Sequence, residues 1–108
     1  MALTDIRDAL LTVLPGAVYH FEASESAQAP YLVWSEDTQG SARHANNTLL
    51  CQAIQGTVDL YTRDEYDPLF DKVQRAFAVH HIPFRLRSIQ RERDTGLIHY
   101  EWIWEAVL

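Results

Sequence analysis

The chain reads as an α+β domain, a mostly antiparallel sheet of four to five strands with two helices packed on one face. Three observations predict this. Two segments repeat apolar residues at helical spacing, several shorter ones are rich in β-branched and aromatic residues, and the links between adjoining extended segments are of hairpin length. At 108 residues with 47% hydrophobic content, residues 1–108 make one domain able to bury its own core.

Residues 4–14 place Ile6, Leu10, Val13 and Leu14 on one helical stripe. Thr4 stands where a cap is needed, Asp5 and Asp8 lie near the positive helix end, and Pro15-Gly16 stops the helix. Residues 17–21 form a brief strand candidate, 22–30 a polar loop, and 31–36 (Tyr-Leu-Val-Trp-Ser-Glu) a strand. The polar stretch 37–48 reads as a long loop, of the length that usually serves a function in so small a domain.

Residues 49–61 read as one long half-buried strand, with Leu50, Ile54, Val58 and Leu60 on the apolar side and Gly56 marking a bulge. Asp67-Pro68 predicts a helix start, because proline suits the first turn and the aspartate can accept from free amides; Leu69, Phe70, Val73, Ala76 and Phe77 then recur with helical period until Ile82-Pro83. A closing hairpin pairs 84–93 with 97–107 around Asp94-Thr95-Gly96. That loop sets Phe84, Leu86 and Ser88 opposite Ala106, Trp104 and Trp102, and Arg85 opposite Glu105.

Composition excludes several functions. Nine Lys+Arg against fifteen Asp+Glu, a net charge of −6, argues against wrapping nucleic acid, which needs clustered cations. Arg85, Arg87, Arg91 and Arg93 form a local basic strip, read as a solvated strand face. No apolar run reaches membrane-spanning length and the N-terminal residues lack a secretory pattern, so a cytosolic protein is expected. The single Cys51 fits a reducing compartment.

Chemistry-bearing residues lack partners at useful spacing. His80 and His81 are adjacent, so on a helix they diverge by about 100° instead of sharing a face. Asp64, Glu65, Asp67 and Asp71 gather where a helix dipole favours negative charge, and no glycine loop could cradle phosphate. The expectation is therefore no catalytic residues, no metal and no cofactor. An enzyme using Cys51 with His44 or His99 ranks last; a small-molecule or peptide-binding module with Trp34, Trp102 and Trp104 lining an aromatic groove ranks second.

The segments Ala45-Asn46-Asn47-Thr48 and Val58-Asp59-Leu60-Tyr61-Thr62-Arg63-Asp64, with the "PYLVW" strand, the "IPF" turn and the closing "HYEWIWEAVL", resemble small tail proteins of phages and prophages of Gram-positive bacteria. These are the tail-completion or tail-terminator proteins of long-tailed phages, which act at the head-tail junction. The resemblance implies a non-catalytic virion structural protein, assembled in the host cytoplasm and resident in the virion tail. It implies self-association into a ring, commonly a hexamer, meeting a tail-tube protein and a head-connector protein. DNA would only pass through the lumen, which an acidic wall suits. Under this reading Gln39, Arg43, His44, Asn46 and Asn47 of the 37–48 stretch are the subunit or tail-tube contacts.

Overall fold

A computed structural model describes residues 1–40, 43–45 and 48–108, with 43–45 and 48–51 as backbone. Its elements in chain order are α1 (Thr4–Val13), β1 (Val18–His20), β2 (Tyr31–Gln39), β3 (Arg43–Ala45), β4 (Thr48–Cys51), β5 (Ala53–Thr62), α2 (Leu69–Val79), β6 (Phe84–Arg91) and β7 (Ile98–Val107). Five strands form one sheet in the order β1-β2-β5-β7-β6, and β3-β4 is a separate two-stranded sheet. The expected α+β class, the strand number and the mostly antiparallel pairing hold. The exception is β1, which runs parallel to β2, with Val18 opposite Leu32 and His20 opposite Trp34.

The core follows from strand alternation. Leu32 and Trp34 of β2, Val58 and Leu60 of β5, and Tyr100, Trp102, Trp104 and Ala106 of β7 occupy alternate positions and share one sheet face. Ile6, Ala9 and Leu10 of α1 and Val73, Ala76 and Phe77 of α2 close over them. Full burial of each large side chain contributes about 1.5–3 kcal/mol. The polar atoms of the two inner indoles are satisfied: Trp102 Nε1 donates to Gln74 Oε1 (3.1 Å) and Trp104 Nε1 donates to the Thr57 carbonyl (3.0 Å).

Gly56 is dictated by this packing. A Cβ there would collide with the Ser35 carbonyl and would lie 2.6 Å from Cε2 of Trp104. The bulge expected at Gly56 is instead in the neighbouring strand, where β2 slips by a residue between Glu36 and Thr38.

Helix ends are specified locally. Thr4, expected as the cap of α1, is its first helical residue; the Asp5 carboxylate instead accepts the Ala2 amide at 3.0 Å. At α2 the aspartate acts as expected, Asp67 Oδ1 accepting the Leu69 amide (2.9 Å) while its Oδ2 accepts from the buried Thr62 hydroxyl; Pro68, expected as the first helical residue, stands at the cap just before Leu69. The other end of α2 is a Schellman turn built on histidine. His81 takes φ 58°, its amide donates to the Ala78 carbonyl, and the Ile82 amide reaches back to Phe77 at 2.8 Å.

Three further expectations are corrected. Residues 37–48 are not a structureless loop: β2 continues to Gln39, and 43–45 pairs with 48–51. Residues 49–61 are not one strand, because Gln52 separates β4 from β5 and sends them to different sheets. The closing hairpin pairs Phe84 with Trp104 and Leu86 with Trp102, two positions from the expected register, and Arg85 faces Ile103, not Glu105.

The physical reason for the last shift is additive. The turn closes with the Glu92 amide on the Leu97 carbonyl, which leaves a loop one residue longer than the expected three and shifts the register by one, and a bulge at Arg87 adds a second slip. Two one-residue slips restore the face, so Phe84 and Leu86 still point coreward. Beyond the bulge Ile89, not Ser88, lies opposite Tyr100.

Candidate functional site

Gln39 is the last residue of β2, exposed, and paired with Ile54 of β5. The Gly40 amide adds one more rung to the Ala53 carbonyl, and the chain then enters the β3-β4 hairpin. Arg43 stands opposite Cys51 and His44 opposite Leu49 in that hairpin, while Asn46 and Asn47 lie outside the described residues. Of the five residues expected to share a contact loop, Gln39 therefore ends β2, while Arg43 and His44 belong to a two-stranded β-arm inserted in the chain between β2 and β5, two inner strands of the sheet. The long dimension of the molecule is 51 Å against 25 and 24 Å across it.

The tryptophan groove does not form. Trp102 and Trp104 are 0% exposed and Trp34 5%, so the indoles are core. Cys51 lies in the separate hairpin and His99 in β7 of the main sheet. Among the described residues no three His, Cys, Asp or Glu side chains converge in a way that could hold a metal. His80 ends α2 and His81 supplies its left-handed turn.

The sheet face turned away from the helices carries a constellation that the sequence reading missed. Four rings from four strands form a ladder. Tyr19 meets Tyr31 edge-on at 6.0 Å, Tyr31 stacks on Tyr61 at 4.9 Å, and Tyr61 stacks on His99 at 4.3 Å. The imidazole sits between carboxylates: Nε2 is 2.6 Å from Asp59 Oδ1 and Nδ1 is 3.7 Å from Glu92 Oε1. The hydrogen bond to Asp59 is the main cause that raises the His99 pKa above its usual 6.5, opposed by burial and helped by the charges of Asp59, Glu92 and Glu101. Burial, then the neighbouring acids, push Tyr61 up to about 12, so its hydroxyl stays neutral. The sequence signal for this group was its alternation (Asp59, Tyr61; His99, Glu101), but which strands lie side by side depends on contacts about forty residues apart.

One cluster of exposed apolar groups lies beside the start of α2. Tyr66, 94% exposed and held at φ 56°, and Ile89, 55% exposed, flank a shallow depression with Phe70 and Tyr100 beside the start of α2. The two sheet edges differ in charge: β6 holds Arg85, Arg87 and Arg91 and no acid, with Glu92, Arg93 and Asp94 in its turn, while Glu22, Glu25, Glu36 and Asp37 lie along or beside the β1-β2 margin.

No family model matches the sequence, and no curated protein matches it. Among solved structures, a chain of the "Virion of native gene transfer agent (GTA) particle" is similar to this one in fold, with a TM-score of 0.53 at 8% identity, over 94% of this chain and 90% of that chain.

Proposed function

We propose that this protein is a virion structural part of a phage or prophage, a tail-terminator or tail-completion protein that forms a ring at the head-tail junction. The fold likeness to a virion chain along nearly the whole of both chains carries the reading. The β3-β4 arm supports it, because a two-stranded projection offers backbone and side chains to a neighbour without disturbing the core. In this role the protein performs no catalysis. Gln39, Arg43, His44, Asn46 and Asn47 contact the adjacent subunit or the tail tube, and the head-connector protein lies on the other side of the ring. The net charge of −6 suits a lumen along which DNA slides without adhering.

Light scattering tests this. Mass is measured over a wide concentration range, alone and then with the tail-tube protein encoded in the same genome. A closed oligomer, formed alone or on the tube, is the expected result. A monomer that ignores the tube at every concentration sinks the reading.

A further inference from the structure

We propose that the subunits of the ring join edge to edge, the arginine-bearing edge β6 of one copy docking on the acidic β1-β2 margin of the next. This rests on the ring reading above and names its joint.

Both edges are free for such a contact. β6 is the outermost strand on its side, and Arg85, Leu86, Arg87, Ile89, Gln90 and Arg91 along it are exposed. On the other side β1 covers β2 only at Leu32–Trp34, so among the described residues no strand pairs with Ser35 to Gln39 on their outer flank, and Asp37, Thr38 and Gln39 are exposed. Glu22 directly follows the Phe21 amide, which donates to the Trp34 carbonyl, so it stands where β1 stops and the open part of β2 begins. Unpaired strand edges are templates for another strand, and native proteins leave them so only with a device that controls who pairs.

The charges are that device. Three of the chain's nine cations (Arg85, Arg87, Arg91) sit on β6, which carries no acid, and its turn adds Arg93 together with Glu92 and Asp94. Among the described residues Arg85, Arg91 and Arg93 enter no ion pair, and neither do Glu22, Glu25 and Asp37 on the far margin. Charges placed merely to keep edges apart need no segregation by sign. Here like edges repel, which disfavours a two-fold dimer through β6, while unlike edges attract, which selects a head-to-tail contact. Such a contact closes into a ring when its rotation closes.

Strand direction agrees. β6 runs opposite to β7, β7 opposite to β5, and β5 opposite to β2, so β6 and β2 point in opposite directions. Copies related by rotation about an axis near the strand direction therefore meet in an antiparallel joint, the more stable kind. The bulges at Arg87 and Asp37 interrupt both edges and discourage indiscriminate pairing, leaving the charged side chains to decide.

Charge swaps test the joint. One variant carries Arg85→Glu with Arg91→Glu, the second Glu22→Lys with Asp37→Lys, and a third all four. Sedimentation velocity follows each alone, the first two mixed, and each with the tail-tube protein, at about 20 mM and about 500 mM salt, where screening differs several-fold. Tryptophan fluorescence confirms that each is folded. The expected result is a loss of at least about tenfold in association for either single-edge variant, with recovery in the equimolar mixture and in the four-fold swap, and weaker wild-type association at high salt. Wild-type assembly that none of the swaps alters overturns the joint and leaves the ring standing. Absence of wild-type assembly both alone and on the tube removes the ring and the joint together.

Discussion

Both faces of the sheet are built from aromatic residues, yet they use them differently. Under the helices, Trp102, Trp104 and Phe77 are wholly enclosed and interlock with Val58, Leu60 and Leu10. On the far side Tyr31, Tyr61 and His99 lie flat against one another, half-buried, with Asp59, Glu92 and Glu101 around the imidazole. The first arrangement gains from exclusion of water and tolerates no change of volume. The second gains from stacking and charge pairing at a surface, where each term is smaller and can be tuned by solvent.

Mutation separates the two. Trp102→Ala should cost about 3–5 kcal/mol, enough to unfold much of the population of a domain this size. Urea denaturation measures it, and a loss under about 1 kcal/mol would break the distinction. Next in size, Gly56→Ala forces a methyl between the Ser35 carbonyl and the Trp104 ring and should cost about 1–3 kcal/mol, read as a lower urea midpoint. Tyr61→Ala on the open face removes two stacking contacts and should cost less than Trp102→Ala, about 1 kcal/mol beyond its lost area.

The smallest effect depends on pH. His99 has a raised pKa in the folded protein, so its stabilising contribution is complete below 6.5 and is lost as pH rises through the raised value. Thermal midpoints of the wild type should therefore fall across that range relative to His99→Gln, which lacks the titration. Parallel curves for the two proteins would mean that the Asp59 contact does not hold the imidazole charged.

The covered face was legible in the sequence because burial on one side imposes alternation. Val58 and Leu60 fall on the apolar side of their strand from spacing alone, and Asp67-Pro68 announced α2 by local chemistry. The open face and the arm were not legible. Beyond the bulge at Asp37, the exposed Thr38 and Gln39 extend β2 by backbone pairing alone, so no apolar period marks them. Arg87 gives no sign of its bulge, since a slip that moves Ile89 to the core side in place of Ser88 is set by the partner strand. The parallel union of β1 with β2 likewise depends on how the 21–30 segment returns, not on the three residues of β1.

The position of the β3-β4 arm has a mechanical consequence. Its two legs continue into β2 and β5, which are flanked by β1 and β7. A force drawing the arm away along the direction of β2 and β5 acts parallel to those strands, and their hydrogen bonds to β1 and β7 lie across it. The bonds are loaded together in shear instead of opening one after another. Tension of that kind is thus spread across the sheet, and the fold does not unzip from that end.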